Sequence, residues 1–380
     1  MITTLPLLAI NLTTEITQAA NIDSQETPFF DDGVMIRVPV NAFGKTLYFL
    51  LDTGFTLSVI DKEYIQNLGD PLAGTYSIRT PLGADNNLPA FHCPKMTIGG
   101  NSSGLDRITS LDLKMTRLIS GEQCDGILGM DFFGSKVVTI DFDKKLLAMD
   151  KAVSETVKKT FIPIPLKQTA RFYVVEALIN HGKYLELMVD TGDSSSISLN
   201  QDAWQEVFGD HPAKVLTISV ADAANQVAQS KTGVIGHLEV GNLNYTNLHA
   251  TLIRNPTSPS HIGLAFFRRH KVTFDFAHRM LYLDPGQQFS VPDKEDMSGL
   301  HLIRNDETTL VYSIDEKSPA FNSGIRANDV IETINGQKTS LLTMKELRGR
   351  LQARDGDSIS LQVNRGGDVL GFAFVLKNPL

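Results

Sequence analysis

Asp52-Thr53-Gly54 and Asp190-Thr191-Gly192 are the residues of this chain best suited to chemistry. Each triplet ends an apolar run, Leu47-Tyr48-Phe49-Leu50-Leu51 in the first case and Leu185-Glu186-Leu187-Met188-Val189 in the second. Such runs read as buried strands, so each Asp is expected at a strand end where the chain turns. Thr can send its hydroxyl into backbone hydrogen bonds and lock the turn, while Gly lets another backbone approach closely. Two carboxyls brought to roughly 3 Å cannot both ionise. The pair then holds one proton: one member takes a proton from a bound water while the other polarises a carbonyl. The two titrations belong to the pair, not to either residue.

The elements that must position the triplets are also stated twice, 138 residues apart at the Asp residues. Upstream, Asn41-Ala42-Phe43-Gly44-Lys45 corresponds to Asn180-His181-Gly182-Lys183, and both read as hairpin turns feeding the strand that ends in Asp. Downstream, Ile127-Leu128-Gly129-Met130-Asp131-Phe132-Phe133 corresponds to His261-Ile262-Gly263-Leu264-Ala265-Phe266-Phe267. Val137-Val138-Thr139-Ile140-Asp141-Phe142 then pairs with Lys271-Val272-Thr273-Phe274-Asp275-Phe276, and Lys145-Leu146-Leu147 with Arg279-Met280-Leu281, at an offset of 134. Surface loops tolerate the small difference between the two offsets. The apolar-apolar-Gly segments, Ile127, Leu128, Gly129 and Ile262, Gly263, are expected to pass behind the turns and hold them rigid. Between the anchors, β-rich Thr75 to Thr80 and Val215 to Val220 each run into a turn-rich stretch, Pro81 to Asn87 and Ala221 to Gln226. A hairpin arching over the site is expected in each copy.

These motifs resemble the aspartic peptidases of the pepsin and retropepsin type, over roughly residues 30 to 285. The resemblance implies a mainly β structure, a bilobed acid-protease barrel of two tandem retropepsin-like lobes, with lobe 1 at 30–155 and lobe 2 at 156–287. It implies Asp52 and Asp190 as catalytic residues, supported by Thr53, Gly54, Thr191 and Gly192. With both halves on one chain, a monomer suffices for activity. Where the family has Ser or Ala after the triplet, this chain has Phe55 and Asp193. Phe55 removes a possible hydrogen bond to the first carboxylate. Asp193 adds negative charge near the second, which is expected to raise the pair's apparent pKa values and move activity toward milder pH. Neither middle segment offers a secure match to the family's flap tyrosine.

A composition break from Pro285 to Met297, with four charged residues from Asp293 to Asp296, reads as a linker. Beyond it the spacing predicts a strand over Leu310 to Ile314, a short helix opened by Ser318-Pro319-Ala320 and closed by Gly324, and a strand from Asp329 to Ile334 meeting an Asn335-Gly336 turn. Met344, Leu347 and Leu351 lie on one face of an amphipathic helix. Ser358 to Val363 and Val369 to Leu376 read as strands joined by Arg365-Gly366-Gly367. This order resembles a bacterial PDZ domain, a small α+β module covering roughly 296–380. The resemblance implies that Gly299, Leu300, His301 and Leu302 form a loop whose N–H groups hold a peptide carboxylate, with the peptide added as an extra strand.

Composition sets the remaining bounds. The chain has 380 residues and a net charge of -8, which argues against general nucleic-acid binding. No stretch approaches a membrane span. Leu5 to Ile10 is apolar but short, and no Lys or Arg precedes Arg37. A remnant of an export signal and a plain lead over 1–29 both fit, with an exported, periplasmic or secreted bacterial protein the favoured setting. Cys93 and Cys124 are open to a disulfide or to two buried thiols. No metal or organic cofactor is implied. His261 is expected to play a structural part in the core, and Asp125, Asp131, Asp141 and Asp275 to serve turns, caps or the closing hairpins. The function expected is an endopeptidase acting on polypeptides, with protein or peptide C-termini at the PDZ-like module. The competing expectation is a catalytically silent peptide-binding or adaptor protein that keeps the fold.

Overall fold

The computed structural model describes residues 26–378 apart from 80–83, 135, 170–171, 181, 210–214 and 222–226. The Leu5–Ile10 stretch, Pro81-Leu82-Gly83 and the turn from Asp222 to Gln226 therefore lie outside the described residues. The molecule is mostly β.

The duplication is visible as repeated strand topology. In the first half, Lys45–Leu51 pairs parallel with Gly126–Leu128, which pairs antiparallel with Val59–Asp61, which pairs parallel with Arg107–Leu111. In the second half, Lys183–Val189, His261–Ile262, Ile197–Leu199 and Leu243–Leu252 repeat that sequence of parallel, antiparallel and parallel pairings. The second sheet also closes on itself, because Tyr173–Ile179 pairs with Val227–Val240. The hairpins expected over the site are present: Thr75–Arg79 pairs with Ala84–His92, and Val215–Ala221 with Val227–Val240.

A six-stranded sheet joins the halves. At its centre Val137–Asp141 pairs antiparallel with His270–Asp275, with Thr139 opposite Thr273. Their hydroxyls meet at 2.9 Å, so a residue and its copy face each other across the pseudo-two-fold axis. Under this sheet the twin Phe pairs pack together. Phe133 lies edge-on to Phe274 and Phe276, and Phe267 edge-on to Phe274. All are fully buried in a core shared by both halves, so burial of large aromatic area fixes one lobe against the other.

The C-terminal module has a core of its own. Its main sheet runs Leu300–Asn305, Thr308–Ile314, Val330–Ile334, Ser358–Arg365 and Asp368–Val375. Ser318 caps the helix Pro319–Ser323 by accepting from Phe321 N, and Gly324 closes it at a φ of 98° that favours glycine. Thr343 and Glu346 form a reciprocal capping box on the helix Met344–Leu351. The element order matches the sequence expectation.

The segment joining module and lobes has little regular structure but is ion-paired rather than free. Asp293 accepts from Arg269 at 2.6 Å and from His249 N at 2.8 Å, and Glu295 lies 2.6 Å from His249 Nδ1. On the far side, Lys345 reaches Asp31, and Arg348 donates to the carbonyl of Ile119. The module is thus tied to both halves of the chain. Among the described residues no helix is long and apolar enough to cross a membrane.

Candidate functional site

The apolar strands deliver both Asp residues to one place. Asp52 N donates to Leu128 O and Asp190 N to Ile262 O, each at 3.0 Å, so the apolar-apolar-Gly segments back the two turns as expected. The segments' glycines fit tightly: a Cβ at Gly129 would press on the backbone of Phe55 and Leu57, and one at Gly263 on that of Asp193 and Ser195.

The threonines interlock. Thr53 N donates to Thr191 Oγ1 at 3.1 Å and Thr191 N to Thr53 Oγ1 at 3.0 Å. Each hydroxyl donates onward into the opposite strand, Thr53 to Val189 O and Thr191 to Leu51 O, both at 2.9 Å. Four buried bonds leave neither turn free to slide. They also set each carboxyl over the other triplet's glycine. A methyl group added at Gly54 would collide with Asp190, and one at Gly192 with Asp52. Asp52 and Asp190 are both buried, each with its carboxyl against the glycine of the other triplet.

The surroundings of the two carboxyls differ. Asp52 accepts from Gly54 N at 2.9 Å, the Phe55 N–H also favours its charged form, and the Phe55 side chain packs with Met35, Leu50, Leu113 and Ile127. Burial, and next the charge of Asp190, push the Asp52 pKa well above the usual carboxylate range. Asp190 accepts from Gly192 N at 2.9 Å and Asp193 N at 3.2 Å, and His261 Nδ1 lies 3.4 Å from its Oδ2. Burial raises Asp190 as well, but His261 opposes the rise.

His261 is the site residue that sequence reasoning missed. Its side chain is buried, as expected, but it is held between Asp190 and Asp193, 3.6 Å from the latter, and is no inert core residue. Burial alone would depress the imidazole, yet the two carboxylates outweigh it and the pKa rises. Asp193 is also burdened by burial, but His261, Ser195 (2.6 Å) and Ser198 (2.5 Å) bring it down to about 2. The charge of Asp193 does raise Asp190, as expected, but it ranks behind burial and behind the opposing charge of His261. The upward shift of both site carboxyls has burial as its first cause.

The other acidic residues hold structure. Asp125 accepts from Tyr48 N and Tyr64 Oη, and Asp131 accepts from Ser58 N and Oγ. Cys93 and Cys124 are free thiols whose pKa values burial pushes up to about 12. Among the described residues no cluster of three or more His, Cys, Asp or Glu side chains is arranged to hold a metal ion.

A cavity of about 630 Å³ opens over the pair. Ser77, Ile218 and Val220 of the two hairpins line it, and so do Leu300, Ile303 and Leu351 of the C-terminal module. Of the four loop residues singled out in that module, Leu300 and Leu302 pack into its core, and His301 Nε2 lies 2.7 Å from Asp315 Oδ1. Gly299 has a φ of +77°, and Ser318 fills the place of a Cβ there. The N–H groups of Ser298 and Gly299 already donate to Asp296 Oδ1, at 2.8 and 2.7 Å.

Residues 38–132 match a family model described as aspartyl protease, and residues 310–365 match the PDZ domain model. No curated protein matches the chain. Among solved structures, the aspartic proteinase from Irpex lacteus aligns over 70% of this chain and 98% of its own, at 13% identity and a TM-score of 0.45. By the two family models, the chain carries an aspartyl protease domain and a C-terminal PDZ domain.

Proposed function

We propose that the chain is a single-chain aspartic endopeptidase in which Asp52 and Asp190 activate water against a peptide bond. The units are lobe 1 over 30–155, lobe 2 over 156–287 and a PDZ module over 296–380. The carrying observation is the reciprocal seating of each carboxyl over the opposite glycine, enforced by the threonine interlock.

The two environments assign the proton. Asp52, pushed well up by burial and by the charge of Asp190, is the better place for a neutral carboxyl, and Asp190, beside the His261 imidazolium, for an ionised one. Asp190 then takes a proton from water held between the carboxyls, while Asp52 donates its hydrogen bond to the scissile carbonyl oxygen. Water attacks directly, giving a tetrahedral intermediate without an acyl-enzyme. Return of the proton to the leaving nitrogen completes hydrolysis.

The test is cleavage of an unfolded protein across pH by the wild-type chain, Asp52→Asn and Asp190→Asn. Both substitutions are expected to abolish turnover while leaving the fold intact. Turnover that persists in either variant refutes the mechanism. A wild-type chain that cleaves nothing between acid and neutral pH points to the silent binding protein instead.

A further inference from the structure

We propose that the PDZ module is a fixed wall of the substrate cleft, held there by a lobe 1 helix on its edge strand, and that Tyr312 on this wall selects an apolar substrate side chain away from the scissile bond. The selectivity rests on the peptidase reading; the docking of the module does not.

The free edge of the module's sheet is already covered. Leu300–Asn305 is the terminal strand, hydrogen-bonded to Thr308–Ile314 alone among the described strands, and the lobe 1 helix Lys114–Ser120 lies against it. The fit is close where that helix ends: a Cβ at Gly121 would come within 2.5 Å of Met344 Cγ and 3.3 Å of Arg304 Cβ. Along the same seam Arg348 holds the carbonyl of Ile119, and Lys345 donates to the carbonyl of Asp31 at 3.1 Å. The helix is itself anchored, since Arg117 donates to buried Asp61 at 2.6 Å. On the lobe 2 side Arg269 and His249 hold Asp293 and Glu295 of the joining segment. A strand added at this edge would have to expel the helix. Tied to both lobes, the module keeps one position relative to the Asp pair.

What the docked module still offers is the face that lines the cavity over Asp52 and Asp190. Leu300, Leu302, Ile303 and Leu351 reach that face but are almost wholly buried. The charged groups there are engaged, His301 with Asp315 and Arg348 with the carbonyl of Ile119. Tyr312 differs from all of these: it lines the same cavity and is 40% exposed. A ring left open to a cleft gains when an apolar side chain packs on it and both leave water. The module therefore adds to the cleft a contact that belongs to neither lobe.

The probes are peptides with one cleavable bond, extended one residue at a time from about four to about eight on either side of it, steps of about 3.3 Å along the cleft. Each is made with Leu or Gln at the added position. On one side of the bond the Leu form is expected to exceed the Gln form in kcat/KM by about tenfold once the added residue reaches the module. Tyr312→Ala should bring that ratio close to one, and Tyr312→Phe should keep it. A staple tests the docking. A Cβ at Gly33 would lie 3.6 Å from Lys345 Cγ, so Gly33→Cys with Lys345→Cys can close a disulfide across the seam. The oxidised chain is expected to show the same ratio as its own reduced form. The proposal is overturned if no position's Leu preference depends on Tyr312, or if the staple abolishes that preference. A chain that cleaves none of these peptides sinks the peptidase reading alone; the Leu-to-Gln ratio is then read as Kd, by anisotropy of the labelled peptides on the same full-length variants.

Discussion

Replacing His261 with Gln isolates the electrostatics of the Asp pair. Gln keeps the volume and a donor but removes the charge. In the wild type the imidazole is held charged through the acid range, 3.4 Å from Asp190 and 3.6 Å from Asp193. A unit charge at that distance is worth about 5 kcal/mol at an effective dielectric of 20. Asp193 carries the opposite charge in the same pocket, so only part of this reaches the pair. Allowing about a third leaves roughly 1.5 kcal/mol, or about one pH unit. The sign is definite: a cation favours the ionised pair, so its loss raises the pair's apparent pKa values, and the unneutralised Asp193 pushes the same way. Both limbs of the kcat/KM profile, loss of the shared proton on the basic side and gain of a second on the acidic side, should move up by about one unit. The assay is kcat/KM for a fluorogenic peptide across pH, with a thermal unfolding midpoint to confirm the fold. A downward shift, or one below about 0.3 unit, refutes the reasoning.

Gly192→Ala should lower kcat by about a hundredfold or more with an intact far-UV spectrum, because the methyl group displaces the Asp52 carboxyl. Thr191→Val removes the hydroxyl that donates to Leu51 O and accepts from Thr53 N; leaving both buried should cost about 3 kcal/mol, read by denaturant unfolding. Arg117→Ala leaves the carboxylate of Asp61 buried without its cation and should cost about 3 kcal/mol by the same assay. Cys93 and Cys124, with thiol pKa values pushed up to about 12, should resist a thiol reagent at neutral pH and react only on unfolding.

The positions that meet at the axis were legible because duplication states them twice. The sequence correspondence of Thr139 with Thr273 becomes a cross-axis contact, and the two triplets become the interlock, since a two-fold operation maps each residue onto its copy. The PDZ elements were legible for a different reason: their caps and turns are local, as at Ser318, Gly324 and Asn335-Gly336. What escaped was non-local charge pairing. The signal at His261 was a titratable residue standing where the first copy has Ile127, and parallel pairing of Met188 with His261 brings it beside Asp190. The charges from Asp293 to Asp296 read as a solvated linker because composition names no partner. Arg269 and His249 supply partners for Asp293 and Glu295, and the loop's own N–H groups supply one for Asp296.

The departures between the copies fall into a pattern. After the triplet the first copy has Phe55 and the second Asp193; at the start of the backing segment the first has Ile127 and the second His261. Both apolar choices surround Asp52 and both titratable ones surround Asp190. Two identical half-sites would share a proton evenly and would need the substrate to decide which carboxyl is acid and which is base. Under the proposed mechanism the surroundings decide beforehand, because burial penalises charge on Asp52 while the His261 cation favours it on Asp190. The interlock and the glycine seats stay symmetric, since any loss there would separate the carboxyls. On that mechanism symmetry is kept where it sets distance and broken where it sets protonation, so the two halves of a duplicated site would act as different reagents.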